Sequence, residues 1–291
     1  MRERLTAIGL MSPAGRGLRF GGLDYLAWYA RIRLRGKRLA RVAAKSGATG
    51  PRVVISLTTI PSRIGRIHPA LNSLLLQTRP ADAIYLHVPR VSLREGQGYT
   101  VPKAVSRHPR ITVHRTVNDL GPVMKLLPTL ELEPDPGTLI ITVDDDAVYP
   151  RDMVETLLAY HRVLPESALG FRGWDIPRSG RYRETHTRYA GEARRPRRVD
   201  VLTGVSGVLY LRGHFGADVY STHGLPAEAF FVDDLRIQGY LRRRGVDRHI
   251  VPHPVGEPLC RYLLPSRSNP LWRINRGGRN NQAMIDALFR S

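Results

Sequence analysis

The sequence predicts an α/β fold with a mostly parallel central sheet and helices on both faces. Three observations lead to this prediction. From residue 52 onward, short β-branched runs alternate with segments of helical periodicity. The strand at 139–143 is apolar at nearly every position, as expected where helices cover both faces of a parallel sheet. The 291 residues are 42% apolar, which is enough for one continuous core in a large domain.

The predicted elements follow one another in a regular order. Strands are predicted at 53–57, 83–88, 111–114, 139–143, 168–171, 199–202 and 208–211. Helices are predicted at 67–77, 123–130, 151–163 and 233–244. The polar, arginine-rich segment 178–198 is predicted to be an exposed loop or flap. The only predicted boundary lies near residue 50, so residues 1–50 form a basic amphipathic segment and residues 51–291 a single α/β domain.

The first 50 residues carry eleven lysines and arginines against two acids, Glu3 and Asp24. Apolar residues recur at helical spacing between Leu23 and Leu34, close to Trp28, and basic residues follow them. Such a helix either packs on the domain or lies on anionic lipid through residues 20–45, since interfacial helices combine aromatic and basic side chains. The sequence leaves both interpretations open.

The formal net charge of +20 indicates attraction to a phosphate-rich partner: nucleic acid, an anionic membrane or a nucleotide. Cys260 is the only cysteine, so no disulfide can form within the chain, which fits a reducing compartment. The sequence shows no signal-peptide pattern and no run of about 20 apolar residues. We therefore expect a cytoplasmic protein, with peripheral association at the inner face of the plasma membrane as an option.

An acidic triplet, Asp144, Asp145 and Asp146, directly follows the apolar strand at 139–143. In an open parallel sheet, ligands bind beyond the carboxyl ends of the strands, where this triplet is expected to lie. Adjacent carboxylates repel one another unless a cation neutralises them, and Mg²⁺ or Mn²⁺ binds carboxylate and phosphate oxygens together. The triplet therefore predicts a metal site that also holds a diphosphate. The alternative is a solvated acidic loop.

A carboxylate pair, Asp233 and Asp234, precedes the last predicted helix in the stretch EAFFVDDLRIQGYL. One interpretation is structural, because the helix dipole favours negative charge at a helix N-terminus. The other is catalytic: one carboxylate acts as a general base or stabilises positive charge at a reacting carbon. The spacing does not separate the two.

Two loops that follow predicted strands are candidates for binding a nucleotide. In the stretch NDLGPVMK, glycine and proline shape a turn, and the lysine projects from the first helical turn, where it meets a phosphate or is an ordinary surface lysine. The loop after the first strand is where nucleotide-binding α/β folds contact the base or ribose. The candidate residues in these loops are Thr58, Thr59, Arg63, Asn118, Asp119 and Lys125.

Gly204, Ser206 and Gly207, in the run LTGVSGVLYL, mark a place where the backbone approaches either a bound ligand or a packed strand. His249 and His253 follow the last strand-like run. A lone histidine is more often structural, but either one is a candidate to complete a metal site or to contact phosphate.

In this order the motifs resemble those of the GT-A glycosyltransferases, most closely the exostosin-like branch and related bacterial polysaccharide glycosyltransferases. The resemblance covers about residues 52–255. The matching segments are VVISLTTIPSR, GPVMKLLPTL, ITVDDDAVYP, ALGFRGW, LTGVSGVLYL and FFVDDLRIQGYL.

The resemblance implies that residues 51–291 form a GT-A domain with a Rossmann-like nucleotide-sugar half, which uses Mn²⁺ or Mg²⁺. Asp144 and Asp146 would be the two aspartates of the family's Asp-x-Asp motif, with Asp146 on the metal and Asp144 nearer the ribose. Asp234 or Asp233 would be the catalytic carboxylate. We further predict contacts of Asp145 with the donor, of His253 with the metal, and of Trp174, Gly204, Ser206 and Gly207 with the acceptor.

The implied reaction moves a hexosyl or N-acetylhexosaminyl group from a nucleotide-diphosphate sugar, with a UDP-sugar expected first, to a glycan or lipid-linked saccharide. A sugar-nucleotide pyrophosphorylase is the rival enzyme, but it normally starts with a glycine-rich loop that holds Arg and Lys, and this loop is missing here. A basic nucleic-acid-binding protein would explain the net charge but not an acidic triplet at the end of a buried strand. No nucleic acid partner is therefore expected, and the stereochemistry of transfer is left open.

Overall fold

The computed structural model describes residues 27–28, 30–32, 34, 38–40, 50–253, 271, 274–275 and 279–290. The mixed α/β architecture expected from the sequence is confirmed. A large central sheet is flanked by helices and carries the main apolar core between its strands and the helices that cover them. In the ranges given above, no helix combines the length and the apolar composition that crossing a bilayer requires.

The central sheet has eight strands in the order β3-β2-β1-β4-β10-β5-β11-β8. Strands β3, β2, β1 and β4 run parallel to one another, as does β11 to β5. The strands of the chain are β1 (Val53–Thr58), β2 (Ala83–Pro89), β3 (Ile111–Thr116), β4 (Leu139–Thr142), β5 (Ala168–Gly170), β6 (Arg172–Trp174), β7 (Thr187–Tyr189), β8 (Arg197–Arg198), β9 (Val201–Leu202), β10 (Val208–Leu211) and β11 (Arg248–Ile250). Their burial explains the near-continuous apolar runs in the sequence, because helices cover both faces of the parallel part.

Short helices connect the strands. They are α1 (Pro61–Ile64), α2 (His68–Leu75), α3 (Lys103–Ser106), α4 (Leu127–Leu132), α5 (Met153–His161), α6 (Asp233–Arg243) and α7 (Asn280–Leu288). The predicted helix at 123–130 is in fact two elements, because a 3₁₀ turn at Gly121–Lys125 ends at Leu126 and α4 begins after it. Pro128 suits the first turn of a new helix, where its missing N–H has no intrahelical partner to lose.

One strand of the central sheet reverses direction next to the acidic triplet. Strand β10 runs antiparallel to β4, with Val208 opposite Thr142 and Leu211 opposite Leu139. The beginning of β10 therefore lies beside the end of β4. As a result, the segment before β10 and the triplet after β4 meet at the same edge of the sheet.

A second, three-stranded sheet in the order β7-β6-β9 packs beside the first. Strand β6 pairs antiparallel with both neighbours, and a separate apolar cluster joins this sheet to α6 and α7. The expectation that residues 178–198 form a loop or flap is therefore corrected in part. The segment contains β7 and β8, and these strands are too short to produce a periodic pattern in the sequence.

The described residues of the N-terminal segment contact the domain. The indole nitrogen of Trp28 donates a hydrogen bond to the carbonyl of Tyr149 at 3.1 Å, and Ile32 is fully buried against Val148. The backbone N–H of Ala40 donates to the side chain of Asn72 at 2.8 Å. These contacts correspond to the packed helix, one of the two interpretations that the sequence leaves open. The other predicted positions between 1 and 50 mostly lie outside the described residues.

Candidate active site

The three aspartates after β4 have different partners. Asp145 is buried, accepts a hydrogen bond from the Thr59 hydroxyl at 2.5 Å and lies 3.1 Å from the Arg63 guanidinium. Asp146 accepts from the same guanidinium at 2.9 Å. Because β1 and β4 are adjacent and parallel, the segments that follow the two strands meet here. The segment after β1 supplies Thr59 and Arg63, which contact the triplet.

The third aspartate is joined to the carboxylate pair through a buried lysine. The ammonium nitrogen of Lys125 lies 2.6 Å from Oδ1 of Asp144. The same nitrogen lies 2.8 Å from Oδ2 of Asp233, an ion pair that falls short of hydrogen-bond geometry. Lys125 is only 5% exposed, so this contact is largely shielded from water. The loop at 121–125, the triplet and the start of α6 therefore form one charged cluster.

The carboxylate pair opens α6 but does not cap it with a side-chain hydrogen bond. Asp233 faces Lys125, and Asp234 accepts a hydrogen bond from the backbone N–H of Gly204 at 2.9 Å. Of the two interpretations of this pair, the contacts favour side chains directed at the site over capping. The helix dipole still favours their charge at this position.

Charged side chains lie close to the backbone of Gly204. A Cβ atom there would lie 2.7 Å from the Lys125 ammonium and 3.3 Å from Oδ1 of Asp234. Gly207 has φ +88°, a conformation that glycine adopts readily, and an added Cβ would lie 2.9 Å from the sulfur of Met153. The hydroxyl of Ser206 is fully buried and has no hydrogen-bond partner among the described residues. The backbone does approach other groups closely here, as predicted, but these are side chains: Lys125 and Asp234 at Gly204, and Met153 at Gly207.

A tyrosine that the sequence analysis missed holds two of these segments together. The buried hydroxyl of Tyr149 accepts a hydrogen bond from the Asp144 N–H at 2.7 Å. It also lies 3.2 Å from the carbonyl of Val205, to which it can donate. The only signal in the sequence is an aromatic residue just after the triplet and before Pro150. Tyr149 thereby links the triplet to the segment at 204–206.

The remaining predicted donor residues lie around this cluster in supporting roles. Asp119 accepts from the backbone N–H of Gly121 and of Leu93, both at 2.8 Å, and so joins two loops. The Thr58 hydroxyl donates to the carbonyl of His87 at 2.9 Å. Asn118 is exposed next to Asp119.

The loop at 90–99 also reaches the cluster, although no sequence motif marked it. The Tyr99 hydroxyl donates to the Thr59 carbonyl at 2.9 Å. Glu95 accepts from the Ser62 N–H at 2.9 Å and from its hydroxyl at 2.6 Å. Burial, together with the nearby positive charge of Arg63, lowers the pKa of Arg94. This loop therefore brings a further arginine to the triplet.

Two groups in the cluster have pKa values displaced toward neutrality. Burial and the neighbouring Asp145 raise the pKa of Asp146 to about 7. Burial and Asp233 raise the pKa of Asp234 to about 7, and Lys125 opposes this shift. For Lys125, burial favours the neutral amine, but the carboxylates of Asp144 and Asp233 outweigh it and raise its pKa. Displacements of this kind are typical of functional sites, because a general base works best with a pKa near the working pH.

The donor set fits a divalent cation. The cluster holds five carboxylates, at 144, 145, 146, 233 and 234, and Lys125 and Arg63 contact the first four of them. Negative charge is in excess when all five are ionised, even with Arg94 close to the triplet. Among the triplet, the Asp144 and Asp146 side chains are 32% and 22% exposed, against 3% for Asp145, so these two are accessible to an ion. Mg²⁺ is commonly held by one or two carboxylates, with phosphates and water as its other ligands. Asp144 and Asp146 match that pattern.

Two predicted site residues lie elsewhere. His253 is buried, 3.1 Å from the Asp152 carboxylate and packed on Phe171. The described part of the chain contains no group of three or more His, Cys, Asp or Glu side chains placed to hold a metal ion, so His253 does not complete such a group with Asp144 and Asp146. Trp174 is 7% exposed and packs in the second apolar cluster, against Tyr182, as a core residue would.

Comparison with known proteins gives one kind of match. No family model matches the chain, and no curated protein matches it. Among solved structures, the fold is similar to that of a mannosyltransferase, PcManGT from Pyrobaculum calidifontis, whose structure was determined in complex with GDP-Man and Mn²⁺. The TM-score is 0.52 at 19% sequence identity, and the match covers 92% of this chain and 72% of that one. At this identity the likeness establishes the fold.

Proposed function

We propose that the chain is a metal-dependent glycosyltransferase that moves a sugar from a nucleotide-diphosphate donor to a glycan or lipid-linked saccharide. One observation carries the proposal: Lys125 bridges Asp144, after the central strand β4, and Asp233, at the start of α6. This contact joins the carboxylates that would hold a metal-bound diphosphate to the pair that contains Asp234, whose pKa is raised to about 7. The fold likeness to a mannosyltransferase that binds a sugar nucleotide and Mn²⁺ supports the same assignment.

In this proposal the donor lies over the ends of β1 and β4. Asp144 and Asp146 hold Mn²⁺ or Mg²⁺, which when bound stabilises charge on the departing diphosphate. Arg63 and Lys125 lie within contact distance of the triplet, so each supplies a positive charge next to the phosphates. The loops with Thr58, Thr59, Asn118 and Asp119 surround the nucleoside.

The acceptor enters on the side of Gly204. Asp234 is fixed by the Gly204 N–H, and a carboxylate with a pKa near 7 takes up a proton from an acceptor hydroxyl at neutral pH. Asp233 stays paired with Lys125 and contributes negative charge next to the reacting carbon. Gly204, Ser206 and Gly207 form the wall that the acceptor sugar contacts.

Donor binding is the direct test. Calorimetry with UDP-, GDP- and dTDP-sugars, each with Mn²⁺ and with a chelator, is expected to give binding of at least one sugar nucleotide that depends on the metal. Hydrolysis of the same nucleotide should release the free sugar slowly without an acceptor. An absence of binding across the panel would overturn the proposal. Tight, salt-dependent binding of duplex DNA in its place would favour the nucleic-acid alternative.

A further inference from the structure

A shallow cleft, largely open to solvent, lies beside the candidate active site. Its enclosed part is narrow, and its floor is apolar. The apolar residues that line it are Val123, Leu127, Val219, Leu225 and Ile237. The polar residues around it are Ser221, Tyr240, Arg236 and Arg243. An apolar floor with arginines at its edge suits a ligand that is both apolar and anionic.

The cleft and the candidate active site share two walls. On α6, residues three, four and seven positions apart lie on one face, so Arg236, Ile237 and Tyr240 extend the face that begins with Asp233. Arg236 follows Asp233 by about 4.5 Å along the helix axis, since the rise is about 1.5 Å per residue. On the opposite wall, Val123 and Leu127 flank Lys125, which contacts Asp233. A ligand in the cleft therefore lies within one helical turn of the carboxylate pair.

Arg236 is poorly satisfied by the protein. Its one recorded hydrogen bond goes to the Val219 carbonyl at 3.5 Å, the outer limit for such a bond. No ion pair to Arg236 is found within the described ranges, and burial lowers the pKa of its guanidinium. Burying a guanidinium without an anion is unfavourable, because its lost hydration is not replaced.

Arg243 lies two helical turns beyond Arg236 and is exposed, with its guanidinium 5.8 Å from the ring centre of Tyr240. The Tyr240 hydroxyl is already used, since it donates to Asp218 at 2.7 Å and accepts from the Gly216 N–H at 3.0 Å. The anion-binding groups of the cleft are therefore the two arginines. Guanidinium groups bind phosphate through paired N–H donors, which makes arginine well suited to phosphate recognition.

We propose that this cleft binds the phosphate and the first carbons of a lipid-linked saccharide acceptor, with Arg236 and Arg243 on the phosphate and the apolar floor under the lipid. This inference rests on the proposed function and narrows its acceptor to the lipid-phosphate class. The sugar then extends from the cleft toward Asp234 and Gly204, one turn of α6 away. The nucleotide donor lies on the other side of Lys125 and does not use the cleft.

Binding of geranyl monophosphate tests the cleft directly. It is a ten-carbon isoprenyl phosphate, and it is titrated into the intact chain below its micelle concentration, with a chelator to keep the metal site empty. We expect it to bind at least about tenfold more tightly than inorganic phosphate or geraniol. Arg236→Met should weaken this binding about tenfold, because a charge-assisted contact is lost, and Arg243→Met should weaken it severalfold.

Arg162→Met, at an exposed position after α5, is the matched control and should stay within about twofold of the wild type. Arg236→Lys keeps the charge and should give an intermediate affinity, which guards against loss of fold in Arg236→Met. Equal binding of geranyl monophosphate by the wild type, Arg236→Met and Arg243→Met would overturn the inference. Equal affinity of the wild type for inorganic phosphate would overturn the assignment to a lipid.

Sugar nucleotide with Mn²⁺ is titrated into the same variants, and Arg236→Met is expected to leave its affinity unchanged. If sugar nucleotide binds but geranyl monophosphate binding does not depend on Arg236 and Arg243, only this inference is overturned. If the two arginine substitutions weaken geranyl monophosphate binding but the wild type binds no sugar nucleotide, the proposed function is overturned. The cleft is then a lipid-phosphate site without a glycosyltransferase.

Discussion

The backbone N–H of Gly204 donates a hydrogen bond to Oδ1 of Asp234 at 2.9 Å, across 30 residues of chain. The contact depends on the absence of a side chain at 204, where a Cβ would lie 2.7 Å from the ammonium group of Lys125. The Gly204 backbone therefore positions Asp234, and the missing side chain leaves room for Lys125. The φ of Gly204 is not positive, so its backbone conformation does not itself call for glycine. Glycine suits this position because charged side chains lie where a Cβ would be.

Gly204→Ala is expected to lower transfer activity about 10- to 100-fold while the chain stays folded. The added methyl displaces the flexible ends of Lys125 and Asp234, and small displacements of reacting groups have large kinetic effects. The measurement is kcat for transfer, with thermal unfolding in parallel. Gly65→Ala is the matched control, because nothing lies within 4 Å of a Cβ there, and it should leave both unchanged. A fully active Gly204→Ala would show that the Lys125 position is not critical.

Asp234→Asn should reduce transfer by at least about 100-fold, because the amide cannot take up a proton from the acceptor. Its carbonyl oxygen can still accept from the Gly204 N–H, so the local geometry is preserved. Donor affinity, measured by calorimetry, should change by less than about threefold. Equal losses of transfer and of donor affinity would assign Asp234 a structural role.

Asp146→Ala should abolish metal-dependent hydrolysis of the donor, since Asp146 is one of the two accessible carboxylates of the triplet. Circular dichroism should show an intact fold. Asp175→Asn removes a surface carboxylate paired with Arg197 and serves as the control, with activity expected to be unchanged. Retained metal-dependent turnover in Asp146→Ala would count decisively against the proposed enzyme.

Lys125→Met should lower the free energy of unfolding by about 3 kcal/mol, because it leaves Asp144 and Asp233 without their buried cation. Denaturation with urea at neutral pH measures this change. Lys103→Met, at an exposed position, should change stability by less than about 0.5 kcal/mol. Equal free energies of unfolding for Lys125→Met and Lys103→Met would mean that Asp144 and Asp233 do not need the charge of Lys125.

Stability should decrease as the pH falls from about 6.5 to about 3, in part through His87. Burial and the nearby His114 lower the pKa of His87 to about 3, whereas the unfolded chain titrates near 6.5. Between these values the unfolded state binds more protons, so stability rises with pH and is lost on acidification, with a limiting slope of about 1.4 kcal/mol per pH unit for this residue. Urea denaturation across this range should show a shallower pH dependence in His87→Gln than in the wild type. Identical slopes would exclude His87 as a source of the acid sensitivity.

The sequence was informative wherever one pattern implied one arrangement. The runs at 53–57 and 139–143 became adjacent parallel strands, and the triplet after the second of them meets Thr59 and Arg63 after the first, as expected for the carboxyl ends of such strands. The ion pair of Lys125 with Asp144 could not be predicted from the sequence in the same way. It forms from a 3₁₀ turn at Gly121–Lys125, where the sequence predicts a continuous helix from 123.

Other features have no pattern that sequence reasoning can use. A buried strand is apolar whether it runs parallel or antiparallel, so the reversal of β10 was invisible. Strands of two or three residues, such as β7 and β8, are too short for a periodic signal. Tyr149 and Arg94 act through tertiary contacts alone, and single residues in a loop or an apolar run carry no such information.

Because β10 runs antiparallel to β4, two separate parts of the chain build the candidate site. Segments up to Asp146 build one half of the cluster, and segments from Gly204 onward build the other half. The two halves meet through the pairing of β10 with β4 and through the ion pair of Lys125 with Asp233. The 57 residues between Asp146 and Gly204 include all three strands of the second sheet. None of these three strands pairs with β1 or β4. In the proposed enzyme, substitution or lengthening in the second sheet would change the surroundings of the acceptor and leave the residues around Asp144 and Asp146 in place. Variation in those three strands would therefore alter the partner of the proposed reaction without altering its chemistry.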